Sequence, residues 1–200
     1  MVTQKYLKNL GFWGVVSAAV VMVPISASAA TSSADTTINA TVNSVISLSA
    51  SATKSFSLTP AGSGVVTSVS DAVSVDTNSS SGYTLTLQNK DTNTNMVSNG
   101  NNIASTTGTT AAPIALTNGT WGYAVAGGAF SPSYTAETNN QTSTTKWAGV
   151  PASGGTAAVL KTSATTATAD TTTVWYAARV GLSQPTGTYT DTVTYTATSN

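Results

Sequence analysis

Residues 185–198 read Pro185-Thr186-Gly187-Thr188-Tyr189-Thr190-Asp191-Thr192-Val193-Thr194-Tyr195-Thr196-Ala197-Thr198. A Pro-x-Gly turn leads into a segment where Tyr189, Val193, Tyr195 and Ala197 share one parity, and threonines fill the other. An alternation with a period of two residues is typical of a β-strand that has one buried face and one solvent face. The stretch therefore predicts a closing strand.

The same alternation recurs along the chain, which is rich in β-branched threonine. It predicts the following strands: 38–50 (one strand, or two that bend near Ser44), 56–58, 65–75, 83–87, 121–125, 159–160 and 174–182. Residues 90–110 and 127–145 are predicted to be long polar loops, the first with one short strand. The turn at Pro185 to Gly187 predicts that strand 174–182 and the closing strand form a hairpin.

No segment beyond the first thirty residues has the periodicity of a helix. Many short strands separated by Gly, Pro and Asn turns favour an all-β fold, an antiparallel β-sandwich with Greek-key, immunoglobulin-like connections. A closed barrel is the alternative, and the unequal loop lengths favour the sandwich. We predict a single domain over residues 31–200.

Residues 1–30 have the features of a signal peptide. Lys5 and Lys8 precede an uncharged apolar run over residues 10–23, Pro24 ends that run, and Ala27-Ser28-Ala29 supplies small residues for cleavage. The run is shorter than the roughly 20 residues that a transmembrane helix needs. The sequence therefore predicts secretion, with membrane contact only through the signal peptide before it is cleaved.

Composition argues against several classes of function. The chain has no cysteine and no histidine, and its seven basic and seven acidic residues balance. A general base of the commonest kind, a thiol nucleophile and a disulfide framework are therefore absent. The charge pattern has no basic patch for nucleic acid. We expect no enzymatic activity, no cofactor, no metal site and no nucleic-acid partner.

Three tryptophans and one tyrosine are candidates for specific roles. Trp121, Trp147 and Trp175 are candidate contact residues for a ligand or partner, although Trp121 is also a candidate core residue. Parity places Trp175 on the outer face of its strand, where we predict that a long loop covers it. Tyr189 follows a Pro-x-Gly turn at a strand entry, as in the tyrosine corner of β-sandwiches, whose hydroxyl bonds to backbone a few residues upstream. Asp91 with Asn93 and Asn95 could contribute oxygen ligands to a Ca²⁺ loop. We interpret these side chains instead as turn formers on the surface.

The C-terminal stretch also resembles secreted bacterial surface proteins. Tyr189-x-x-x-Val193-Thr194-Tyr195-x-Ala197 has the spacing of the distal Tyr-x-x-x-Leu-Thr-Trp-x-Leu motif of WxL-type cell-wall domains, and Trp121-Gly122-Tyr123 stands where their Trp-x-Leu element would. The closing strand is also similar to the last strand of spore-coat-U-like and other fimbrial subunits. These resemblances imply a cell-surface β-sandwich, with peptidoglycan or cell-wall polysaccharide, or copies of the same chain, as partners.

Three functional hypotheses follow from the sequence. The first is a non-catalytic, exported cell-surface or cell-wall protein with a structural or adhesive role. The second is a pilin-like subunit that polymerises by β-strand exchange, with the stretch 38–50 as donor. The third is a carbohydrate-binding module that uses Trp121, Trp147 or Trp175.

Overall fold

The computed structural model describes residues 29–125 and 145–200, and over these residues the protein is all-β, without a helix. The predicted all-β class is therefore confirmed. The strands are β1 (Ile46–Ser49), β2 (Val65–Thr77), β3 (Tyr83–Asn89), β4 (Met96–Ser98), β5 (Asn101–Ser105), β6 (Thr120–Val125), β7 (Ala158–Ser163), β8 (Ala167–Val180) and β9 (Val193–Ser199).

The strands form two sheets. The larger sheet has the order β1-β2-β8-β6-β5-β4, and the smaller has the order β7-β3-β9. All pairs are antiparallel except β5 with β6. Strand β8 lies at the centre of the larger sheet, because β2 pairs with one of its edges and β6 with the other.

Alternation along the strands builds one hydrophobic core that both sheets share. On β8 the alternating apolar residues of the predicted strand 174–182 are buried up to Val180, with Val174, Ala178 and Val180 almost fully covered and Tyr176 7% exposed. Leu182, predicted as the last inward residue, is 75% exposed because β8 ends at Val180. On β3 the side chains of Tyr83, Leu85 and Leu87 are completely buried. On β3 the intervening Thr84 and Thr86 are less buried, as expected for the other face of the strand, whereas Ala177 of β8 is also completely buried.

The predicted C-terminal hairpin is wrong. Strand β8 lies in the larger sheet, whereas β9 pairs with β3 in the smaller one. Both edges of β8 are already paired, so the closing strand has no free edge there. Residues 181–192 instead connect the two sheets, and Thr190 forms a bridge with Val97 on the way.

The predicted N-terminal strands are much shorter than expected. Of residues 38–50 only Ile46–Ser49 form a strand, and residues 56–58 form none. The stretch 90–110, predicted to be a loop with one short strand, contains the pair β4 and β5. These departures share a cause, since alternation shows that a stretch can form a strand but not that a partner edge is available.

Two predictions fall wholly or largely outside the described residues. These are the signal peptide, whose first 28 residues are not described, and the loop 127–145. The chain divides into two units, Met1–Thr41 and Val42–Asn200. In the first unit, residues 29–41 are exposed and form no strand. Within the described ranges, the structure has no helix that is long and apolar enough to span a membrane.

Candidate functional site: a cleft beside strand β9

A cleft of about 1060 Å³ opens into the core of the second unit. One wall is an extended segment that we call the strap (residues 50–58), and the other wall is formed by residues 184–195. The floor comes from the larger sheet: Met96, Ile103, Trp121, Tyr176 and Val180. Ligand sites in proteins typically have volumes of roughly 300–1,000 Å³ and mostly apolar linings, so this cleft is large enough to bind a ligand or a peptide segment.

The cleft lies beside the open edge of the smaller sheet, where apolar side chains are only partly covered. The inward residues of β3 are fully buried, whereas those of the neighbouring edge strand β9, which are Val193, Tyr195 and Ala197, are only half-buried. Strand β9 pairs with β3 in regular register from Val193 to Ser199, and no described strand pairs with its other edge. Apolar side chains beside that edge therefore lack the cover that a further strand would give.

The strap closes the cleft only in part. Its Phe56 and Leu58 are half-buried and pack against the core, while the other strap side chains are exposed. The backbone N–H of Ser51 donates a hydrogen bond to Asp71 Oδ1 at 3.2 Å. The strap has no strand structure, so it does not complete either sheet.

A small polar cluster lies inside the cleft. Asp71 is 2% exposed, and the hydroxyls of Tyr176 and Tyr195 are 2.7 Å apart. Burial raises the pKa of both tyrosines, and the nearby Asp71 raises them further, so both hydroxyls stay protonated at neutral pH. The cluster offers neutral hydroxyls and one carboxylate for hydrogen bonding, in a setting that contains no histidine or cysteine.

Tyr189 lies at the rim of the cleft and fixes the segment that precedes β9. Its Oη donates to the carbonyl oxygen of Pro185, four residues upstream, at 2.9 Å. Gln184 Nε2 donates to the same hydroxyl at 2.7 Å. These two bonds tie the Pro-x-Gly turn to the ring of Tyr189, in the arrangement that a tyrosine corner uses.

We predict that Tyr189→Phe lowers the free energy of unfolding by about 1 kcal/mol or somewhat more, because it removes both bonds to the hydroxyl and keeps the ring. Urea denaturation monitored by circular dichroism measures the change. Thr188→Ala, at an exposed neighbouring position, is the matched control and is expected to have little effect. An unchanged urea midpoint for Tyr189→Phe would show that this hydroxyl does not stabilise the fold.

The three tryptophans lie in different surroundings. Trp121 is 3% exposed, lines the floor of the cleft and donates from Nε1 to the carbonyl oxygen of Thr94 at 2.9 Å. Trp147 is 1% exposed and pairs through its backbone with Ile114, away from the cleft lining. Trp175 is half-buried on the opposite face of β8 from Tyr176. Of the three, only Trp121 belongs to the cleft, so the structure does not bring them together into one platform.

Sequence reasoning missed most of the cleft residues. In the sequence Tyr195 stands out only through its alternation with threonine, and Tyr176 only as part of the predicted strand 174–182, although the two hydroxyls meet inside the cleft. Asp71 carries no local signal in the sequence, because its role depends on Ser51 and Tyr195. The one sequence feature that indicated this site was the alternation of tyrosines with threonines in the closing stretch.

Two acidic residues near the start of β9, Asp91 and Asp191, form hydrogen bonds with nearby asparagines. Asn89 Nδ2 donates to Asp191 Oδ2 at 2.7 Å, and burial raises the pKa of the Asp191 carboxyl. Asp91 accepts from the backbone of Asn93, and Asn93 from that of Asn95, which is the hydrogen bonding of Asx-turns. In the described part of the chain no three acidic or other metal-ligating side chains cluster.

A second feature is the apolar character of the exposed N-terminal stretch. Ile38, Val42 and Val45 are 88%, 84% and 64% exposed. The C-terminal end of this stretch is held at the turn between β2 and β3, where the side chain of Asn78 accepts from Val45 N at 2.7 Å and donates to the carbonyl oxygen of Asn43 at 2.9 Å. The apolar stretch therefore joins a fixed anchor, and its own side chains are left in water.

No family model, curated protein or solved structure matches this chain. A function for it therefore depends on the cleft, the exposed stretch and the sequence features described above.

Proposed function

We propose that this chain is a non-catalytic structural protein of the bacterial cell surface, and that its copies join by β-strand exchange. In this proposal the two sheets form an incomplete β-sandwich, to which an extended segment of another copy adds a strand. The signal-like residues 1–30, the lack of cysteine and histidine, and the resemblance to fimbrial subunits support export and a structural role.

The observation that carries the proposal is the exposure of the stretch 38–45, which we call the donor segment. Its apolar residues Ile38, Ala40 and Val42 alternate with polar ones, as in a strand with one buried face. Burying a side chain such as Ile or Val is worth about 1.5–3 kcal/mol, so leaving Ile38 and Val42 in water gives up a large stabilisation. A second copy that covers these side chains would recover it.

We predict that the double variant Ile38→Asp/Val42→Asp is monomeric under conditions where the exported, processed wild-type protein forms multimers or filaments. Each charge would have to be desolvated in an apolar contact, which costs far more than the contact gains. Size-exclusion chromatography with light scattering gives the mass, and negative-stain electron microscopy shows whether filaments form.

The matched control is Asn39→Asp/Thr41→Asp, which adds the same charges at the alternate positions of the donor segment. We expect this control to assemble, because its side chains would face away from the apolar contact. Multimers of equal mass from both double variants would contradict a role for the apolar positions. A wild-type protein that stays monomeric at all concentrations tested would contradict assembly itself.

A carbohydrate-binding role is the second candidate, and the aromatic lining of the cleft favours it. Trp121, Tyr189 and Tyr195 line the same opening as Asp71, so aromatic rings and hydrogen-bonding groups lie close to one another. A glycan array probed with the wild-type protein tests this role. Glycan binding that persists in the Ile38→Asp/Val42→Asp monomer would favour the carbohydrate role over strand exchange.

A further inference from the structure

We infer that the cleft between the strap and residues 184–195 is the acceptor for the donor segment of another copy, with the apolar side chains of that segment packed between the partly buried side chains of the two cleft walls. The inference rests on the proposed function, since it names where the exchanged strand binds. Three observations support this site: incomplete cover, matching chemistry and length, and an edge with fewer protective features than the other edge of the smaller sheet.

Incomplete cover is the first observation. Strand β9 is an edge strand, and its inward side chains are half-buried although those of its partner β3 are fully buried. Opposite this gap, Met96 and the half-buried Phe56 and Leu58 also pack at the margin of the core. A strand placed in the gap would bury apolar area on both walls and could pair with the free edge of β9. In strand addition the main-chain hydrogen bonds supply affinity, and pockets for alternate side chains supply specificity.

The donor segment matches the cleft in polarity and in length. The segment carries no charge, and the apolar Ile38, Ala40 and Val42 suit the partly buried side chains of the cleft walls, which include Phe56, Leu58 and Tyr195. Because Asn43 and Val45 are bonded to Asn78 of their own chain, residues 38–42 are the part that can reach another copy. Five extended residues span about 16 Å, and the nine-residue strap spans at most about 30 Å, so this part fits within the length of the cleft wall.

The other accessible edge of the smaller sheet is less suited to accept a strand. Strand β7 carries Lys161, which pairs with Asp170, and its register with β3 shifts between Leu85 and Thr86. Charged side chains and bulges are the devices with which edge strands resist pairing. Strand β9 has no charge, proline or register shift from Val193 to Ser199. Edge protection therefore favours the β9 side, where the cleft lies.

The experiment uses the absence of cysteine from the native sequence. One variant, Thr41→Cys, places a thiol in the donor segment, and a second variant, Ser55→Cys, places one on the strap. A third variant, Thr162→Cys on β7, is the matched control, and all three positions are exposed. Tagged Thr41→Cys protein is mixed separately with each of the other two variants and treated with a short bis-maleimide. Because only one partner is tagged, the products of cross-linking between the two variants can be identified by mass.

We expect the pair Thr41→Cys with Ser55→Cys to give about tenfold more mixed dimer than the pair with Thr162→Cys, because binding in the cleft raises the effective concentration of the two thiols. A synthetic peptide of residues 38–45 is expected to reduce the product. Multimers that cross-link preferentially to Thr162→Cys would overturn the cleft as acceptor and leave strand exchange intact. An absence of multimers from wild-type protein would overturn the proposed function as well.

Discussion

Trp147→Ala is expected to lower the free energy of unfolding by about 3–5 kcal/mol, the range found when large aromatic core residues are truncated. Trp147 is among the largest fully buried side chains of the described chain, at 1% exposure. Its backbone forms a two-way bridge with Ile114, and its carbonyl oxygen lies close to Gly108. Removing the indole would leave a cavity among segments that are tied together by backbone bonds and that cannot easily collapse.

Chemical denaturation in urea measures this loss, with the slope of the transition as a check on two-state unfolding. Trp147→Phe is the matched variant and should lose distinctly less stability, because most of the apolar volume remains. If Trp147→Ala kept wild-type stability and instead abolished binding to a glycan or partner, Trp147 would be a contact residue and its burial would have another explanation.

Gly82→Ala is expected to destabilise the protein by more than about 3 kcal/mol, because two unfavourable effects add. Gly82 has a φ of +79°, a conformation that costs alanine about 1–2 kcal/mol. A Cβ at this position would also lie 2.1 Å from the carbonyl oxygen of Ser163, so the backbone between β3 and β7 would have to move. Such a displacement would disturb the start of β3, where Tyr83 is completely buried.

Gly154→Ala separates the two effects. Gly154 has nearly the same φ, +82°, but a Cβ there would meet no atom within 4 Å. We expect this variant to lose only about 1–2 kcal/mol, from the backbone conformation alone. Thermal unfolding of the two variants side by side measures the difference, and equal losses would mean that the contact with Ser163 relaxes without cost.

The sequence predicted the positions of β3, β6 and β8. The alternating apolar residues of these strands are buried: Tyr83, Leu85 and Leu87 on β3, Trp121, Tyr123 and Val125 on β6, and Val174, Tyr176, Ala178 and Val180 on β8. On β6 the intervening Gly122 and Ala124 are buried as well, so both faces of that strand are covered. The alternation of β9 was also correct in its parity, since its threonines are exposed and Tyr195 points inward. Period-two patterns report the local geometry of a strand, and local geometry is what these elements share.

Pairing partners could not be predicted, because they depend on contacts that are far apart in the sequence. The closing strand has a turn before it and a suitable strand before the turn, yet it pairs with β3 because the edges of β8 are taken by β2 and β6. The cleft was missed for the same reason. The cleft is lined by β9, the strap and the larger sheet, which are far apart in the sequence. No single stretch of sequence could therefore predict it.

The pairing of β2 with β8 has a consequence for the order in which the chain can fold. Residues 65–73 of β2 pair only with β8, and Val65 is paired with Val180, so this part of β2 has no partner until more than a hundred further residues are present. Non-local pairing of this kind slows folding, typically to milliseconds or seconds in all-β proteins, because loop-closure entropy is lost before contacts compensate it. A chain that emerges N-terminus first therefore cannot complete the pairing of β2 with β8 until residues 167–180 have also emerged. Its central sheet forms only after β8 has followed.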